Sequence, residues 1–175
     1  MNIHDTFDGT SPLIEACSYK FYNITFVKTL IEYGADVNDV ETGERRKENS
    51  TRLTPLIAAS QTGRLDLVRF LVSKGADVNY QNEFGQSALS ASVMIKKYNV
   101  TYYLLQNGAD YNRPIYYRLD YSVPIEKRDP QDKGKPRYLW DVLKDDVSEF
   151  GTSEYKYKML IIDFLKSKGL SITLN

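Results

Sequence analysis

The sequence predicts an all-α solenoid of about four helix-turn-helix units, with finger loops projecting from one side and a degenerate last unit capping the array. Two observations carry this reading. A five-residue phrase occurs three times, as Gly34-Ala35-Asp36-Val37-Asn38, Gly75-Ala76-Asp77-Val78-Asn79 and Gly108-Ala109-Asp110-Tyr111-Asn112, and self-similarity of this kind marks a stacked array. Each copy also follows apolar residues placed ten, eight, seven, four and three positions before its glycine, the spacing of one buried helical stripe.

In the first unit that stripe is Ile24, Phe26, Val27, Leu30 and Ile31, and in the second Leu65, Leu67, Val68, Leu71 and Val72. The third offers Tyr98, Val100, Thr101, Leu104 and Leu105, with threonine interrupting the pattern once. The glycine that follows can take the left-handed conformation that ends a helix without a side-chain clash. Upstream, each unit carries a helix start: Ser11-Pro12-Leu13, Thr54-Pro55-Leu56 and Ser87-Ala88-Leu89. The hydroxyl residue caps the first turn, and proline is tolerated beside it because a first-turn amide has no helical partner. The small residues Ala16, Ala58, Ala59 and Ala91 let these first helices lie close to their neighbours.

These phrases resemble the ankyrin repeat, which has a period of about 33 residues and the signature Thr-Pro-Leu-His-x-Ala. The second unit fits best: Pro55 to Gly75 is 20 residues and Gly75 to Ala88 is 13. Ile57 replaces the usual histidine, which removes a polar link often made within the family without altering the fold. The resemblance covers residues from about 8 to 112 and implies a module that recognises another folded protein rather than a catalyst.

The last 60 or so residues follow the pattern more loosely. Met159, Ile161, Ile162 and Leu165 stand at the stripe offsets before Gly169, while Trp140, Leu143, Val147 and Phe150 form an expected helical stripe ahead of them. Lys166 takes the final stripe position, as suits a terminal unit that must meet water. The expected organisation is a single ankyrin-repeat domain over 1–175, with units at about 8–38, 51–79, 84–112 and 137–171 and inserted loops at about 39–50 and 113–136. A further ten or so residues of extra length fall around Asp145 to Tyr155.

Insertions in repeat arrays fall in loops, often on the binding face, so the candidate contact residues are sought there. The longest insertion holds Tyr116, Tyr117, Arg118, Tyr121 and Arg128 among Pro114, Pro124, Pro130 and Pro136. Prolines rule out a helix and disfavour an inner strand. Tyrosine and arginine are enriched at binding hot spots, although the rings could equally fold back over the repeat edge. The connection Tyr80-Gln81-Asn82-Glu83-Phe84-Gly85-Gln86 has the length of a finger. By resemblance, Gln81, Glu83, Phe84 and Gln86 stand at tip positions that vary with the partner. Arg45 and Arg46 complete the candidate set, in a basic run hemmed by Glu41, Glu44 and Glu48 that reads as a solvated loop.

Composition narrows the partner little. The 23 basic and 23 acidic residues cancel, so no overall field favours nucleic acid or an anionic membrane, and neither is expected as a partner. The N-terminus lacks the basic and apolar regions of a leader, and no stretch reaches the length of a membrane span; a soluble, unprocessed, cytoplasmic chain is the expectation. Cys17 is the single cysteine and suits helix packing better than nucleophilic chemistry, and His4 is the single histidine, so neither the common zinc ligand sets nor a catalytic constellation can be assembled. No cofactor is expected. Asp145, Asp146 and Glu149 read as decoration on the outside of a helix. The sequence therefore points to a monomeric binding module that forms a hetero-complex with a folded protein, with blocking of a cognate toxin or enzyme as the concrete version. A secreted effector or adaptor that engages a host protein is the alternative, and a small hydrolase built on the Asp145 region is the rival from another class.

Overall fold

The computed structural model describes residues 9–18, 23–42, 52–119, 121–122, 125–127, 129 and 132–173. Four helix pairs follow one another: α1 (Pro12–Ser18) with α2 (Ile24–Glu32), α3 (Pro55–Thr62) with α4 (Leu65–Ser73), α5 (Ala88–Met94) with α6 (Tyr98–Gln106), and α7 (Leu139–Asp145) with α8 (Ser153–Ser167). The first helices start as their residues dictate. Thr54 Oγ1 accepts from Ile57 N at 3.3 Å, Ser11 Oγ accepts from Ile14 N at 3.4 Å, and Ser87 and Ser90 cap each other reciprocally.

The second helices all end alike. Gly34, Gly75, Gly108 and Gly169 have φ of +88°, +89°, +85° and +90°, and the amide of the next residue returns to a carbonyl five positions back, as in Ala76 to Leu71 at 3.1 Å and Leu170 to Leu165 at 3.2 Å. Gly169 shares this ending, so the fourth pair follows the same plan as the first three.

Stacking explains why the five-residue phrase recurs. Asn38 Nδ2 donates to Gly75 O at 3.0 Å and Asn38 Oδ1 accepts from Asp77 N at 2.7 Å. Asn79 repeats both bonds one unit on, to Gly108 O at 3.0 Å and from Asp110 N at 2.8 Å. Each Asn amide is in turn held by its own unit's aspartate, as Asn79 N is by Asp77 Oδ1 at 2.8 Å. The phrase is thus a staple between consecutive units. The first helices stack α1 on α3 on α5, while α6 packs on α8 and α7 packs chiefly on α8. Small buried residues permit the close stacking, with Ala58, Ala59 and Ala91 almost wholly covered.

The core follows the predicted stripes with instructive departures. All five stripe residues of the third unit are buried, Thr101 included; its hydroxyl pairs with Ser92 Oγ at 2.9 Å, which removes the cost of burying a polar group. In the first unit only Val27 of the stripe is fully buried, and Phe26 is 50% exposed. In the fourth unit Ile161, Ile162 and Leu165 are buried and Lys166 is exposed.

The expected stripe through Val147 and Phe150 does not form. Helix α7 stops at Asp145, and Asp146 turns extended at φ −77°, ψ 126°, so Val147 and Phe150 lie in a loop at 86% and 88% exposure. The extra length around Asp145 to Tyr155 is shared between that loop and a longer helix, α8, which Thr152 caps through Tyr155 N at 3.2 Å. Asp146 is also not surface decoration: it is buried and ion-paired to Lys96 at 3.0 Å and to buried Lys158 at 3.6 Å. Glu41, read as part of a solvated charge balance, is buried too, accepting from Thr10 Oγ1 at 3.1 Å and from Leu53 N at 3.4 Å, so it closes the base of its loop.

Candidate functional site

A candidate binding site forms at the third unit, and it is built from three parts. The first is the finger. Asn82 is buried, and its Oδ1 accepts from Phe84 N at 3.1 Å and Gln86 N at 2.8 Å. Gln81 Nε2 donates to Gly85 O at 2.8 Å. With these turns satisfied internally, the finger is stiff and Phe84 stands out at 63% exposure. Glu83 beside it faces Arg52 at 3.7 Å. Tyr80 lies at the finger's root, where its hydroxyl donates to Arg52 O at 3.3 Å.

The second part is helix α5, whose Ser90 and Ala91 floor the site and whose C-terminal Met94 is 59% exposed, followed by Ile95 at 40%. The third is the insertion. Among its described residues it forms a two-stranded antiparallel ribbon, β1 (Tyr116–Arg118) with β2 (Lys135–Arg137), in the register Tyr116 to Arg137 and Arg118 to Lys135. The prolines allow this because both strands are edges: Pro136 lies opposite Tyr117 and lacks an amide to contribute. A Cβ on Gly134 would come within 2.5 Å of Arg118 O, so the ribbon closes only with glycine there.

Finger, helix and ribbon enclose a groove of about 940 Å³. Its walls are Phe84, Met94, Ile95, Ile115, Tyr117 and Leu119 for the apolar part. Glu83, Gln86, Asp132 and Lys133 supply polar groups at its margin. An apolar trough with few polar groups is the usual form of a recognition site.

The groove brings together Gln81, Glu83, Phe84, Gln86, Tyr116 and Tyr117 of the residues singled out from sequence. It does not include Tyr80, Arg118 or Tyr121; Arg118 ends β1 and is exposed, and Tyr121 is 76% exposed beyond the ribbon. Arg45, Arg46 and Arg128 lie outside the described residues, as does His4. The two readings of the tyrosines divide ring by ring: Tyr116 packs against the core, whereas Tyr117 is 47% exposed. Met94, Ile95, Leu119 and Lys133 escaped the sequence reading. The signal for the first two is that α5 is buried through Val93 and then runs straight into two large apolar residues facing solvent.

The remaining chemistry-bearing groups are engaged structurally. Cys17 is fully buried, and burial pushes its thiol up to about 12, so no thiolate forms near neutrality. Asp145 is ion-paired with Arg137. Burial favours the neutral form of the Asp146 carboxyl, but hydrogen bonds from Ser148 and Lys96 outweigh it and hold the group below the usual carboxylate range. Burial, reinforced by that carboxylate, drives the neighbouring Tyr98 phenol well above its ordinary value. Among the described residues no helix is long and apolar enough to cross a membrane.

Helix pairs stacked through repeated inter-unit bonds, with a stiff finger beside the first-helix row, define a repeat solenoid of the kind whose exposed face serves in recognition. The family profile described as ankyrin repeats (3 copies) matches residues 1–82 and 40–115, and the chain belongs to the ankyrin-repeat family, a generally non-catalytic fold that mediates protein–protein interaction. It is similar to an ankyrin repeat protein of Acanthamoeba polyphaga mimivirus, 31% identical over 100 residues that make up 57% of each chain. An ankyrin repeat protein of Fowlpox virus is 36% identical over 90 residues, 51% of this chain and 14% of that one. The ankyrin repeat and SAM domain-containing protein 6 of Rattus norvegicus is 41% identical over 63 residues, 35% of this chain and 7% of that one. The matched region thus spans a little over half of the mimivirus protein and a small part of the other two.

Proposed function

We propose that the chain acts by holding another folded protein in the groove of the third unit, and that it thereby blocks a cognate toxin or enzyme. The observation that carries this is the convergence of Phe84, Met94, Ile95 and Tyr117 on one trough from three separate parts of the chain. Exposed apolar and aromatic side chains that converge on one concavity are the anchors from which interfaces draw most of their energy. Blocking requires only occupancy, which a stiff finger and a fixed helix supply without any reacting group. In this reading the chain is a monomer that becomes one half of a hetero-complex. The buried thiol of Cys17 fits a cytoplasmic setting. The viral relatives favour a second reading, in which the same groove belongs to an effector or adaptor that engages a host protein.

Affinity capture from the native host, run beside a Phe84→Ala/Tyr117→Ala variant and read by mass spectrometry, tests the groove. The expected outcome is one stoichiometric protein held by the wild type and lost from the variant, with its activity suppressed in the complex. Identical capture by both forms would remove the groove from consideration. A captured partner whose activity is unchanged in the complex would instead favour the adaptor reading.

A further inference from the structure

The loop 146–152 between α7 and α8 is fixed from within yet presents apolar side chains outward. Ser148 N donates to Asp146 Oδ2 at 3.2 Å, Lys158 Nζ donates to Asp146 O, and Thr152 Oγ1 donates to Glu149 O at 2.7 Å. The Phe150 ring meets Tyr155 edge-on with centroids 5.2 Å apart. Among the described residues Val147 and Phe150 are nevertheless the two most solvent-exposed apolar side chains after Tyr33 is set aside, at 86% and 88%. A loop that only connects two helices is ordinarily polar and needs no such support.

The loop also adjoins the groove. Ile95 lines the trough; the next residue, Lys96, reaches Asp146 at 3.0 Å, and Val147 follows directly. Ile95 and Val147 therefore flank the two ends of one ion pair. The exposed charged side chain of the loop is acidic: Glu149 lies between the two apolar residues and has no ion-pair partner among the described residues.

We infer that the loop 146–152 is a second contact site, which takes an apolar side chain flanked by lysine or arginine from the same protein that occupies the groove. The inference rests on the groove reading for the identity of that protein, but the site's own chemistry does not. The loop's hydrogen bonds hold the backbone that presents Val147 and Phe150, and Glu149 selects the flanking charge.

The test is a displayed random peptide library panned on the immobilised full chain, followed by titration of a synthetic enriched peptide. Enriched sequences should pair a large apolar residue with lysine or arginine. Their affinity should fall about tenfold or more in Val147→Ser/Phe150→Ser, and Glu149→Lys should weaken binding in a way that added salt diminishes. Both loop side chains are exposed, so unchanged denaturation midpoints will show that the variants fold. Peptides that lose affinity only with Phe84→Ala/Tyr117→Ala would overturn the loop site and leave the groove reading intact; loss only in the loop variant would do the reverse. Enrichment without basic residues, or no enrichment, overturns the inference. So does a wild-type dimer in sedimentation that dissociates in Val147→Ser/Phe150→Ser, since the loop's occupant would then be a second copy of this chain.

Discussion

The first three units and the fourth are joined by different physics. Between units one, two and three the same staple recurs, with Asn38 and Asn79 each spanning to the next unit's glycine carbonyl and aspartate amide. The fourth unit has Leu170-Ser171 where the others have alanine and aspartate, and among the described residues Asn112 does not extend the ladder. What binds it instead is particular to it: Asp146, itself held by Lys158 of the same unit, reaches Lys96 of the third, and rings pair across the junction, Tyr102 with Tyr157 at 6.3 Å and Tyr111 with Phe164 at 6.4 Å. A repeated bond can be read as a repeated word; a single ion pair between distant residues cannot.

The comparison can be broken most sharply at Asp146. Asp146→Ala leaves Lys158 buried without a carboxylate to neutralise it, and unfolding stability should fall by about 3 kcal/mol in urea denaturation. The same carboxylate predicts a pH effect. Because its folded pKa is depressed, its contribution is present above the unfolded value of about 3.9 and is lost as pH falls further toward the folded one. The wild type should therefore lose stability more steeply than Asp146→Asn as pH falls below about 4, and parallel curves would show that the ion pair contributes nothing. Next in size is the staple: Asn79→Ala should cost about 1–2 kcal/mol by denaturation, while Asn112→Ala should cost under about 0.5 kcal/mol. Equal losses would mean that the ladder is not what distinguishes the two regions.

The smallest effect concerns the turns inside the units. Gly63 has φ +73°, and a Cβ there would come within 2.4 Å of the Lys97 side chain. The matching turn between α5 and α6 has Lys96 at φ +56°, a conformation costing a non-glycine residue about 1–2 kcal/mol. Lys96 holds it while reaching Asp146. Replacing it by glycine should thus be less damaging than replacing it by alanine, by about 1 kcal/mol in the same denaturation experiment.

Much of this was legible in advance. The period, the helix pairs, their caps and their glycine endings follow from local rules, and the fourth pair was recognisable from Met159, Ile161, Ile162, Leu165 and Gly169. Candidate contact residues were sought in the insertions that break the period and on the regular-length finger, but how their side chains divide between core and surface could not be read there. Both tyrosines line the groove, but that Tyr116 also packs against the core while Tyr117 stays half exposed depends on which side of a two-residue alternation turns inward. Val147 and Phe150 were misread because apolar spacing says nothing about an aspartate that leaves the helix to meet two lysines from elsewhere.

What the sequence by itself determined is the array: periodic burial and glycine-ended helices are properties of neighbouring residues, and a staple that repeats leaves a repeating trace. What only the tertiary structure decided is the joining of the finger, the end of α5 and the ribbon into one groove, together with the loop that Lys96 holds beside it. Those arrangements depend on contacts between residues far apart in the chain that occur once, and a contact made once leaves no period to read.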